Sequence, residues 1–204
     1  MRRPSRFELA LAATLGGTVS LSAAPALAEP SGVPSAANSM VQSNLVTCPA
    51  GHFTFTVLVK DAIGTPVQNS TVVVDFCPAP SIDICSTPGC TFSGTTNSTG
   101  TVVLNIPAGG VVAAALVVVR ADAVTLAQRA VASTDQTGDL LVTSADVAAI
   151  NALLGTNDKR GDLDGDGFVT SADVAIVQAH MSHACAGPVH AYDRSWGVLK
   201  ISYR

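Results

Sequence analysis

The stretch GDLDGDGFVTSAD, residues 161–173, holds four aspartates: Asp162, Asp164, Asp166 and Asp173. Carboxylates at that density repel one another, and a cation that takes many oxygen ligands neutralises them best. Counted from Asp162 as position 1 of a twelve-residue loop, Asp164 is position 3, Asp166 position 5 and Asp173 position 12. Gly167 is position 6, where a calcium loop bends sharply. Phe168, at position 7, would give its backbone carbonyl, and Thr170, at position 9, its hydroxyl directly or through a water. All of these donors are oxygens, which selects Ca2+; Mg2+ fits so flexible a loop less well.

The segment VTSADVA occurs twice, at 142–148 and 169–175, and the offset of 27 carries Asp135, Asp139 and Asp146 onto Asp162, Asp166 and Asp173. A repeat with its acids in register is the mark of duplication. The first copy, 135–146, is degenerate. Thr137 takes position 3, Leu141 position 7 and Thr143 position 9. Leu140 stands at position 6, where a positive φ costs a non-glycine residue roughly 1 kcal/mol or more. With one carboxylate fewer, this loop is expected to hold calcium more weakly than the second. Across residues 135–173 eight acids face two bases, so the segment is expected to need the ion in order to fold.

The elements around these loops follow from apolar periodicity. Val147, Ile150 and Leu154 recur at helical spacing after the first loop, and Val174, Val177 and Met181 after the second. No helix of EF-hand length precedes either loop, so each unit is a loop followed by a helix. Upstream, from about 46 to 132, the period is two. Phe53, Phe55, Val57 and Val59 alternate with Thr54, Thr56 and Lys60, and 70–76, 101–106, 111–120 and 123–131 also read as strands. IGTP (63–66) and NSTG (97–100) are turns, and VVAAALVVV (111–119) is too short to span a bilayer and is expected to be a buried strand. Residues 29–45 are small, polar and Pro-containing, and predict a flexible lead-in.

Two resemblances follow from these residues. GDLDGDGFVTSADVAIVQ and its twin DQTGDLLVTSADVAAIN resemble a dockerin, over roughly 133–187. That resemblance implies calcium in both loops and docking onto a cohesin-like protein. Positions 10 and 11 would contribute to recognition, which here are Ser144 and Ala145, and Ser171 and Ala172. VLVKDAIGTPVQNSTVVVDF and GTTNSTGTVVLNIPAGG resemble a bacterial immunoglobulin-like domain of the invasin/intimin type, over 46–132, which implies a spacer or adhesive module. The expected fold is mainly β plus small α: an antiparallel immunoglobulin-like β-sandwich followed by a dockerin-like pair of calcium loop–helix motifs.

The first 28 residues, with Arg2, Arg3 and Arg6 before an apolar stretch and Ala26-Leu27-Ala28, read as a secretory signal peptide cut after about Ala28. Its removal takes three Arg and one Glu and moves the net charge from −4 to −6, which argues against nucleic acid. Export permits disulfides among Cys48, Cys77, Cys85, Cys90 and Cys185, with a local bridge expected within 77–90. The odd count leaves one thiol unpaired or bonded to another chain.

No catalytic constellation stands out. Asp61, Asp75, Asp83 and Asp122 lie in or beside strands and turns, and no serine sits in a G-x-S-x-G elbow. His180, His183 and Cys185 form H-x-x-H-x-C, either a partial soft-metal site or a helix end with a disulfide cysteine. The tail 188–204, with Trp196, is either a sorting or anchoring segment or a plain terminus. The expected protein is therefore secreted and non-enzymatic, with a docking role in an extracellular or cell-surface assembly. A calcium-rigidified spacer or adhesin and a carbohydrate-associated module of a polysaccharide-degrading system are the alternatives.

Overall fold

A computed structural model describes residues 32–85 and 89–186. The expected signal peptide and the tail with Trp196 lie outside the described residues. Among these residues ten strands are followed by two short helices. The strands are β1 (Met40–Val41), β2 (Leu45–Thr47), β3 (Thr54–Leu58), β4 (Thr71–Asp75), β5 (Asp83–Ile84), β6 (Thr91–Thr95), β7 (Thr101–Asn105), β8 (Ala108–Gly109), β9 (Val112–Ala121) and β10 (Val124–Ser133). The helices are α1 (Ser144–Asn151) and α2 (Ser171–Ala179). The protein is thus mainly β, as the strand periodicity implies.

A three-stranded sheet, ordered β1-β3-β7, faces a five-stranded sheet, ordered β2-β10-β9-β4-β6. One core fills the space between them: Phe55 and Val57 of β3 and Val102 and Leu104 of β7 meet Leu45, Val72, Val74, Val117, Val119 and Val131. Period-two sequences give this result directly, because alternate side chains point to one face. The pairings are antiparallel except for β2 with β10, which run parallel. A separate antiparallel pair, β5 with β8, packs on the same core through Ala108 and Ile84.

Three local expectations need correction. β1 lies inside the polar stretch read as a lead-in and pairs with β3, while Leu45 is fully buried. A two-residue strand in a polar sequence carries no periodic signal, so backbone pairing decides it. The apolar run 111–119 is only half buried: residues 113–116 are exposed, whereas Val117, Val118 and Val119 are buried. β4 covers β9 only from Val118 to Ala121, so the earlier residues overhang their neighbour. The helices end at Asn151 and Ala179, which leaves Leu154 and Met181 largely exposed; Leu153 packs inward instead.

Asp75 is an ion-paired sheet residue. Arg120 Nη1 donates to its Oδ2 at 2.6 Å, and that bond foremost holds the Asp75 carboxyl below its ordinary range. Cys77 and Cys90, beside it, are joined to each other, and Cys85 is joined to Cys185. The first bridge is local, as expected; the second spans 100 residues and ties the end of the helical segment to the strand region.

Loop-closure entropy in the unfolded chain grows with the logarithm of loop length. Paired removal of Cys85 and Cys185 is therefore expected to cost about 4–5 kcal/mol in urea unfolding, against about 3 kcal/mol for Cys77 and Cys90. Equal losses from the two pairs would show that chain entropy is not what the long bridge supplies.

Candidate metal centre

Each acidic loop is built by its own backbone. Asp135 and Asp162, at position 1, are buried, and each accepts from the N–H three residues on, Gly138 at 2.7 Å and Gly165 at 2.8 Å. At position 12, Asp146 and Asp173 are also fully buried. Asp146 accepts from the Thr137 and Thr143 N–H groups, and Asp173 from those of Asp164 and Thr170. The Leu141 N–H donates to Asp139, and the Phe168 N–H to Asp166. Every one of these bonds has its counterpart 27 residues away, so the sequence repeat is also a repeat of hydrogen bonding.

The same two acids start the helices. Thr143 and Thr170 are the N-caps, with hydroxyls that accept from Ala145 and Ala172, and Asp146 and Asp173 at N3 complete a capping box. Their negative charge also sits at the favourable end of each helix dipole. The two threonine hydroxyls, expected as position-9 ligands, are thus engaged as caps and donate to the position-12 carboxylates.

The repeat extends past the helices. Gly155 donates to the Val169 carbonyl, and Val169 to that of Thr156. Ser182 donates to the Val142 carbonyl, and Val142 to that of His183. Each loop is therefore clasped by the turn that follows the other loop's helix. Gly155 and Ser182 both take positive φ, 77° and 68°, to make that turn.

The carboxylates converge as an ion site requires. One oxygen from each of Asp135, Asp139 and Asp146 lies within 4.8 Å of the others, and so do oxygens of Asp162, Asp164 and Asp166. Two oxygens bound to one Ca2+ at about 2.4 Å can stand at most about 4.8 Å apart, so both groups fit a single calcium. Position 6 fits too. Gly167 has φ 98°, and Leu140 is driven to φ 68°, the strained conformation its place in the loop demands. Phe168 and Leu141 at position 7 turn their side chains largely outward, 60% and 41% exposed, leaving the backbone to face the loop. A third group, Asp75 with Cys77 and Cys90, is no metal site, since both sulfurs are in a disulfide.

The loops differ in surroundings. The first sits on β8: Gly110 donates to the Asp135 carbonyl, and a Cβ on Gly109 would collide with the Asp135 carboxylate. Burial foremost pushes the Asp135 carboxyl above its ordinary range; the Leu140 and Gly138 N–H groups oppose this, and the Asp146 and Asp139 charges add to it. The second loop is more open, with Asp164 and Asp166 exposed. Lys159 Nζ reaches Asp162 Oδ2 at 3.2 Å, and Asn44, from the strand region, donates to the Asp162 carbonyl at 2.7 Å. Nothing in the sequence near the loop announces Asn44, which is 118 residues away.

Ser144, Ala145, Ser171 and Ala172 are all exposed at the starts of the two helices. Of the two readings of H-x-x-H-x-C, the helix end with a disulfide cysteine holds, because Cys185 is in the bridge to Cys85. His180 and His183 instead meet His52 and the free Cys48, which sequence reasoning missed; the odd cysteine was the only signal. Among the described residues no helix is long and apolar enough to cross a membrane. Comparison with known proteins finds no matching family model, no matching curated protein and no matching solved structure.

A raised carboxyl pKa adds stability that is full below the unfolded value of about 3.9 and is lost as pH rises through the folded value. In chelator, wild type is therefore expected to gain stability relative to Asp135→Asn as pH falls from 7 toward about 4, read by urea unfolding at each pH. Calcium should abolish that gain by taking the proton's place. A wild type that loses ground to Asp135→Asn on acidification would contradict a carboxyl raised by burial.

Proposed function

We propose that this is a secreted, non-enzymatic protein whose C-terminal pair of acidic loops binds Ca2+ in the manner of a dockerin, carried on an immunoglobulin-like β-sandwich. The observation that carries this reading is the hydrogen-bond network duplicated at an offset of 27 residues, with three carboxylate oxygens converging in each loop. Two disulfides among the described residues support an oxidising, extracellular setting.

Docking is the function this arrangement serves. Ser144 and Ala145 on one helix, and Ser171 and Ala172 on the other, are exposed and related by the internal repeat. They offer a cohesin-like partner two equivalent faces. In the first loop calcium would join loop to helix, because Asp146, which caps the helix, is one of the three converging acids. Bound ion at 100 times Kd would add about 2.7 kcal/mol to the folded state.

A second reading has its own support. Val46 and Ala132 of the five-stranded sheet share a core with Val142, Ile150, Leu163, Val169, Val174 and Val177. A unit so joined to its neighbour, and bridged to it by Cys85–Cys185, suits a calcium-stiffened spacer or adhesin that needs no docking partner. A carbohydrate-associated role rests on the dockerin resemblance alone.

Calorimetric calcium titration of the full chain tests the site, with Asp162→Ala and Asp135→Ala beside it. Two binding steps are expected, the tighter one lost with Asp162→Ala and the weaker with Asp135→Ala. Absence of binding heat, with unfolding unchanged by chelator, would remove the calcium reading and docking with it. If calcium binds and substitution of Ser144 and Ser171 by bulky residues leaves capture by a cohesin panel unchanged, or no cohesin is captured at all, the spacer reading stands.

A further inference from the structure

Four groups able to ligate a softer metal meet where the strand region touches the end of α2. Cys48 is the one free cysteine among the described residues and is fully buried. Its Sγ lies 3.6 Å from His183 Nδ1. The His183 ring stacks on that of His52 at 4.4 Å between centroids and meets that of His180 edge-on at 5.1 Å, while His52 and His180 are 5.5 Å apart. No carboxylate or other anion pairs with any of the three rings in the described contacts.

The Cys48–His183 spacing is that of two ligands on one tetrahedral ion, while no three of the four groups yet bring their ligand atoms within 4.8 Å of one another. A thiolate sulfur at about 2.3 Å and an imidazole nitrogen at about 2.0–2.1 Å from one zinc stand roughly 3.6 Å from each other. Three imidazoles on the same ion place their ring centroids roughly 5 Å apart. His180 is also oriented for the task. Its Nδ1 lies 2.8 Å from the Ile176 carbonyl and so carries the proton, which leaves the Nε2 lone pair free. That is the second-shell bond by which metal-binding histidines are held. Phe53 stacks on the same ring at 5.1 Å and fixes its plane. His52 is exposed and His183 half-buried, so an ion can enter from solvent and the rings can close over it.

We propose that Cys48, His52, His180 and His183 form a zinc-binding site that clamps the strand region to the end of α2. Cys48 and His183 already stand at ligand spacing. His52 and His180 complete the shell by ring rotation, with the stacked pair tilting apart. The thiol proton leaves to solvent as the Zn–S bond forms, and the ion's charge is then shared by one thiolate and three neutral imidazoles. A borderline-soft cation suits this N/S set, whereas the all-oxygen acidic loops suit a hard one.

The test uses the full chain with excess calcium, so that the acidic loops are not free to compete. Cobalt(II) titration is expected to give a thiolate-to-cobalt charge-transfer band that saturates at one ion per chain and is displaced by zinc. With four cysteines in disulfides, that band belongs to Cys48, and Cys48→Ser should abolish it. His52→Ala changes an exposed side chain and leaves the core untouched. It should weaken zinc binding by more than roughly tenfold in indicator competition, a loss that even second-shell changes produce, and His180→Ala should do the same. A missing thiolate band in wild type, or zinc affinity unchanged in both His52→Ala and His180→Ala, would overturn the site.

Discussion

The structure around the acidic loops depends on four buried aspartates, Asp135, Asp146, Asp162 and Asp173, of which Asp162 alone meets a cation, Lys159, among the described residues. A buried carboxylate is costly unless its oxygens are occupied. Here they are occupied first by backbone N–H groups, which curl each loop around its own acids. Asp146 and Asp173 serve two neighbours at once, closing the loop behind them and capping the helix ahead. Helices of eight and nine residues are too short to persist alone in water. Their start depends on the caps, and their persistence on the core that they share with the sheet.

That shared core makes the two halves one body. Outward-facing side chains of β2 and β10 are apolar at Val46 and Ala132, where a sheet facing water would carry polar residues. The helices cover that patch. Around its rim the chain adds directional contacts: Asn44 to the second loop, Gly110 to the first, Gln136 to the Arg160 carbonyl, and the long disulfide. Gly109 lies close enough to Asp135 that a side chain there would displace the loop. The first loop is therefore held by the β5–β8 corner as much as by its own sequence.

Much of this was legible in the residues. Alternation at Phe55, Val57 and Val59 gave the strand's buried face, whereas Phe53, expected with them, lies outside the strand and packs with the helices; the offset of 27 gave both loops and the strain at Leu140. What escaped has a common physical cause. β1, the parallel pairing of β2 with β10, the clasp of each loop by the opposite turn, and the meeting of Cys48 and His52 with His180 and His183 are all long-range backbone or side-chain contacts. Period and spacing report on neighbours in the chain, and these contacts join residues that sequence separates. Leu154 and Met181 show the converse limit: helical spacing continued in the sequence after the helix had stopped.

The two loops, although copies, are not equivalent sites. In the second, Lys159, itself 55% exposed, already lies on the buried Asp162. A cation placed there would have to displace it, and would meet three converging aspartates, two of them exposed. In the first, Thr137 replaces an aspartate, and its hydroxyl lies between Asp135 and Asp146, at 3.3 and 3.0 Å. That hydroxyl stabilises the loop without an ion and must turn to admit one. The same substitution that lowers the first loop's charge also lowers its need for a cation. The second loop has no hydroxyl in that place, and its countercharge is the Lys159 ammonium.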